Sequence, residues 1–133
     1  MNFSTIKTKE KKVTKLKVTP QTQEPVEVES QVVVHGTYTS LFGIDKVRIW
    51  KTTFLIARDS DHQSELISAF NITLYPQWTT LSAGQTLRFT LIFEGLPKSC
   101  RSFDLVEVIP EPGGFVKRNI PRNSTDVYRI SMR

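Results

Sequence analysis

The one thiol of the chain, Cys100, lies between Lys98 and Arg101 in the stretch LIFEGLPKSCRSFDLVE. A cysteine nucleophile reacts as its thiolate, a form that neighbouring cations favour, and it needs a base within hydrogen-bonding reach. Only two histidines exist to serve as that base, His35 and His62, and neither stands in a recognisable catalytic pattern. Cys100 therefore reads as a small packing residue at the start of a strand. The segment DSDH gathers Asp59, Asp61 and His62, two carboxylates and an imidazole. A calcium loop needs more oxygen ligands and a glycine at its sharp turn, and a zinc site needs a further pair of His or Cys. Neither follows, so a polar hairpin loop is expected and no metal.

Glu94, Asp104 and Glu107 flank the cysteine stretch and could share acid and base roles only if burial or mutual proximity split their pKa values. On alternating strands they are expected to face water. Gly113 and Gly114 follow Pro112 and precede a strand-like segment, whereas a phosphate cradle has a helix N-terminus behind its glycines. The expectation is a protein that is not an enzyme and carries no cofactor.

Charge narrows the choice of partners. The chain has 133 residues, with 18 Lys and Arg against 13 Asp and Glu. Residues 1–19 hold Lys7, Lys9, Lys11, Lys12, Lys15 and Lys17 against Glu10, which accounts for the whole net charge of +5. The rest is balanced, while a nucleic-acid site usually shows as a basic face on the folded body. Lys11, Lys12 and Lys15 are thus candidate contacts for nucleic acid or another anionic polymer, the less favoured reading. Two later basic clusters, Lys117 with Arg118 and Arg122 with Arg129, are too small to change it. Among the aromatics, Trp50 is expected in the core, whereas Tyr75 and Trp78 in YPQW sit beside a proline on a loop. Such a loop presents apolar surface of the kind that binds another protein. Asn71 and Asn123 begin NIT and NST glycosylation sequons, which matter only in a secretory pathway.

The elements that must position these residues read as strands. TLRFTLIFEGL puts Leu87, Phe89, Leu91 and Phe93 on one face and Arg88, Thr90, Ile92 and Glu94 on the other, the alternation of a half-buried strand. VEVESQVVVHGTY, KVRIWKTTFLIARD, ELISAFNITLYP, SFDLVEVIP, FVKRNI and DVYRISM carry similar patterns between turn signals such as SAGQ and EPGG. No segment shows helical periodicity. The fold class expected is all-β, an antiparallel immunoglobulin-like β-sandwich of about seven to eight strands over residues 25–133. Residues 1–24 are expected to form a flexible basic tail and linker. With one cysteine no internal disulfide can form, so an apolar core must hold the fold. No apolar run is long enough to span a membrane as a helix, and no leader pattern opens the chain, which favours the cytoplasm unless a leader has been removed.

From about Val47 to Met132 the chain resembles small immunoglobulin-like β-sandwich domains of uncharacterised bacterial proteins of Bacteroidetes type. The resemblance rests on VRIWKTTFLI, LISAFNITLYPQ, AGQTLRFTLIFEGLPKSCRSFDLVE and GGFVKRNI. It implies a sandwich fold and brings no catalytic residues with it. The function expected is a non-enzymatic protein-interaction or accessory module.

Overall fold

The computed structural model describes residues 30–132. They form nine strands: β1 (Val32–Thr39), β2 (Asp45–Val47), β3 (Thr53–Ala57), β4 (Gln63–Phe70), β5 (Thr79–Leu81), β6 (Thr86–Phe93), β7 (Ser102–Glu107), β8 (Val116–Pro121) and β9 (Val127–Ser131). Seven of them make one sheet in the order β8-β7-β3-β4-β6-β1-β9, and β2 and β5 form a separate two-stranded ribbon. All pairings are antiparallel except β1 with β9.

The long sheet folds over on itself at β4. The first residues of β4, Gln63–Glu65, pair with β3, and Leu66–Phe70 pair with β6, with a register break between Leu66 and Ser68. Strands that pass from one layer to the other do so through such irregularities, because an unpaired residue bends the strand and increases its twist. Although β7 and β9 stand far apart in the strand order, Phe103 of β7 meets Tyr128 of β9 edge to face, ring centroids 5.0 Å apart. Between the layers lies an all-β core that includes Val32, Val34, Leu55, Leu91, Phe93 and Leu105. Phe93 and Phe103 are wholly buried, and each such side chain contributes about 2–3 kcal/mol through the apolar area it removes from water.

The clearest alternation behaves as expected. Leu87, Phe89, Leu91 and Phe93 point inward, while Thr86 and Arg88 are exposed. Two segments differ. KVRIWKTTFLIARD is not one strand, because the chain leaves the ribbon after Val47, makes a single bridge from Ile49 to Leu74, and enters the main sheet only at Thr53. A hydrogen bond from the Thr53 hydroxyl to the Trp50 carbonyl (2.6 Å) holds the intervening bend. Trp50 is accordingly half-buried on a crossover instead of in a core strand. ELISAFNITLYP likewise ends its strand at Phe70, since Asn71 adopts a left-handed backbone (φ +64°). Val26, Val28 and the residue 1–24 tail lie outside the described residues.

Two carboxylates expected to face water are buried instead. Asp104 accepts hydrogen bonds from the Asn119 amide (2.8 Å) and from Arg58 (3.1 Å), and Arg118 approaches at 3.5 Å. Burial alone would push its carboxyl upward, but these three donors outweigh burial and leave it below its ordinary value. Glu107 shapes the candidate site.

Candidate functional site

Backbone pairing brings two crossover segments side by side. The Ile49 amide donates to Thr73 O and the Tyr75 amide to Ile49 O, both at 2.9 Å. That register sets Trp50 against Tyr75, their rings stacked at 3.8 Å and 21°. The Arg48 guanidinium completes the group, 3.6 Å from the centre of the Trp78 ring and 4.6 Å from that of Tyr75, while Nη1 donates to Pro76 O at 3.1 Å. A guanidinium over aromatic faces is attracted by the ring quadrupole and holds several side chains in one arrangement. Tyr75 and Trp78, the aromatics singled out from the sequence, thus stand together, each about half exposed.

Next to this cluster opens a groove of about 590 Å³, with Lys46, Arg48, Trp50 and Trp78 on one side and the Glu111–Phe115 loop on the other. Glu107 joins the two sides. One carboxylate oxygen accepts from the Trp50 amide and the other from the Phe115 amide, both at 3.1 Å. The loop lies so close that a Cβ on Gly114 would stand 2.4 Å from the Glu107 carbonyl oxygen, which demands glycine there. Burial pushes the Glu107 carboxyl above its ordinary range, against the pull of the two amides and of Arg48. Because the fold favours the protonated form, Glu107 adds stability below about pH 4.5 that is lost as the pH rises through its elevated folded-state value.

Glu107→Gln tests this arrangement. A carboxamide offers one acceptor where two amides need one each, so one buried donor is left unsatisfied, at a cost of about 1–2 kcal/mol. Urea unfolding from pH 4 to pH 8 should show the wild-type advantage over Glu107→Gln shrinking as the pH rises. An advantage independent of pH would show that Glu107 does not titrate differently in the folded chain.

The loop before β2 was not singled out from the sequence, yet it carries the two most exposed large apolar side chains among the described residues, Phe42 and Ile44, with Leu41 beside them. Phe42 is 86%, Ile44 77% and Leu41 54% exposed. Its base is tied down, with Ser40 buried, its amide donating to Gln85 O, its carbonyl accepting from Gly84 and its hydroxyl donating to Gly43 O. The signal was LFGI itself, three large apolar residues around a glycine with no alternating polar partner.

The remaining chemical candidates are engaged locally. Cys100 is buried in the turn before β7, its thiol donating to Ser102 O at 3.3 Å, and burial first and Asp59 second raise its pKa. His62 Nε2 lies 2.9 Å from the Ser64 hydroxyl and 3.2 Å from Gly95 O, and Asp59 accepts from the Arg101 amide. Among the described residues no three His, Cys, Asp or Glu side chains gather as a metal site would require, and no helix is long and apolar enough to cross a membrane. The two sequon asparagines use their side-chain amides internally, Asn71 donating to Arg88 O and Asn123 to Val127 O. Lys11, Lys12 and Lys15 lie outside the described residues. Comparison with protein-family models, with curated proteins and with solved structures finds no match in any of the three.

Proposed function

We propose that the chain is a non-enzymatic interaction module of the immunoglobulin-like kind, which binds another protein through the β2–β5 ribbon and the groove beside it. The observation that supports this reading is the placement of exposed apolar residues. Of the nine large hydrophobic side chains exposed among the described residues, Leu41, Phe42, Ile44, Tyr75 and Trp78 all flank this ribbon. Concentrated apolar surface beside a polar rim is characteristic of docking faces, whereas single exposed hydrophobic residues are not. Trp78, held in place by Arg48, is the anchor, since rigid aromatics lose little entropy on binding and dominate interface energies. A buried, protonated Cys100 thiol and two histidines with local partners favour binding over catalysis.

Panning a random-peptide library against the whole chain tests the reading. Enriched peptides should lose at least about tenfold in affinity on Trp78→Ala, while Lys117→Ser on β8 leaves them unchanged. Loss of the Arg48 stacking is expected to lower stability by only about 0.5–1 kcal/mol. Peptides that bind Trp78→Ala as well as the wild type, or no enrichment at all, would overturn the proposal. The second reading, an anionic polymer bound through Lys11, Lys12 and Lys15, rests on the lysines of residues 1–19. It predicts steeply salt-dependent DNA binding that disappears when those residues are deleted.

A further inference from the structure

We infer that the outer face of β6, β1 and β9 is a binding site for a tetrahedral oxyanion, a phosphate group or the isosteric sulfate. A second cavity, of about 470 Å³, opens there and shares no lining residue with the groove. His35, Thr37, Arg88, Thr90 and Arg129 surround it, and the strand backbone at Gly36, Phe89 and Ile130 forms its floor. Register explains why these side chains meet. Arg129, His35 and Thr90 lie in one row across β9, β1 and β6, and Thr37 and Arg88 lie in the next row on the same face.

Arg88 and Arg129 stand on opposite sides of β1, two strand spacings across and two residues along, so their Cα atoms are about 12 Å apart. Two extended arginine side chains span that distance and can close on one group above His35 and Thr37. Among the described residues neither arginine has an acidic partner, in contrast to Arg58, Arg118 and Arg122. The His35 ring is fixed by Nδ1, 2.8 Å from the Thr90 hydroxyl. With Thr90 donating to Nδ1, the proton of this cavity-lining ring sits on Nε2 and makes it a donor, and the Thr37 hydroxyl adds another. Two planar guanidiniums with a fixed imidazole and a hydroxyl are a donor set suited to an oxyanion, because guanidinium forks match its oxygens in pairs.

The test uses the whole chain, ¹⁵N-labelled, with inorganic pyrophosphate and sulfate as probes at constant ionic strength. Saturable shifts of the Gly36, Phe89 and Ile130 amides are expected. Arg88→Gln and Arg129→Gln should each weaken binding at least about tenfold, since each removes charge-assisted hydrogen bonds. Both arginines are exposed, so neither substitution should change the melting temperature, and Lys46→Gln in the groove should leave binding unchanged. The inference is overturned if the shifts rise linearly without saturation, if they fall on the lysines of residues 1–19, or if both glutamine variants bind as the wild type does.

Discussion

Arg122→Met is expected to lower the unfolding free energy by about 3–5 kcal/mol, the range for leaving one member of a buried ion pair without its partner. Arg122 and Asp126 are both nearly buried, their side chains 12% and 11% exposed. Nε and Nη2 of Arg122 donate to the two oxygens of Asp126 at 2.6 and 3.0 Å. Nη1 donates to Pro97 O at 2.8 Å and to Cys100 O at 3.0 Å. Tyr128 donates to the same carboxylate at 2.9 Å, and its pKa is pushed up to about 12, by burial first. The hydrogen bond to Asp126 raises the pKa of Arg122, against the opposing pull of burial. This group sits where the chain crosses from β8 to β9, between the two ends of the folded sheet. Without the guanidinium, Asp126 loses its cation and keeps Tyr128 as a donor, Pro97 O keeps only the Cys100 amide, and Cys100 O loses the Arg122 donor. Asp126→Asn keeps an acceptor for Tyr128 and suits the left-handed backbone there (φ +55°). In a double-mutant cycle the pair should therefore lose less than the sum of the singles, by about 1–3 kcal/mol. A loss below about 1 kcal/mol for Arg122→Met, measured by urea unfolding, would show that the pair does not hold the closure.

The same network shows what could be read from residue order. Alternation along β6 identified which side chains face the core, because a period of two depends only on neighbours within the strand. Whether the opposite face is open depends on remote segments. Asp104 alternates correctly with Phe103 and Leu105, yet it is covered by Arg58 from the β3 end and by Arg118 and Asn119 of β8. Arg122 and Arg129 read as one basic cluster, but the first is consumed by Asp126 and the second stands on the outer sheet face. YPQW was recognisable as a displayed aromatic loop because Pro76 excludes it from a ladder. Its stacking with Trp50 was not, since that follows from pairing between segments more than 20 residues apart. Cys100 contributes mainly through its carbonyl, which accepts from Arg122, and a backbone role leaves no mark in residue type.

Gly36→Val is expected to cost about 3 kcal/mol, at the upper end of the range for overpacking a core. Gly36 lies directly opposite Phe89 in the β1–β6 pairing, and the Phe89 ring occupies the space a side chain would take. A Cβ added at Gly36 would stand 2.3 Å from Phe89 Cζ and 2.5 Å from Cε1. Phe89 is only 3% exposed, and in a close-packed interior its ring has nowhere to turn without displacing neighbours. Glycine in a strand normally weakens it, and an aromatic partner laid across the gap restores the lost packing. The pair should therefore behave as one unit. Phe89→Leu alone opens space and costs about 1–2 kcal/mol, but in the Gly36→Val background the smaller ring position should recover part of the loss. Urea unfolding of the two singles and the double gives the coupling directly, and the expected sign is stabilising. If Gly36→Val alone stays within about 0.5 kcal/mol of the wild type, or if Phe89→Leu makes it worse by its full single-variant cost, then the ring does not fill the glycine gap. The β1–β6 contact would then rest on backbone pairing alone.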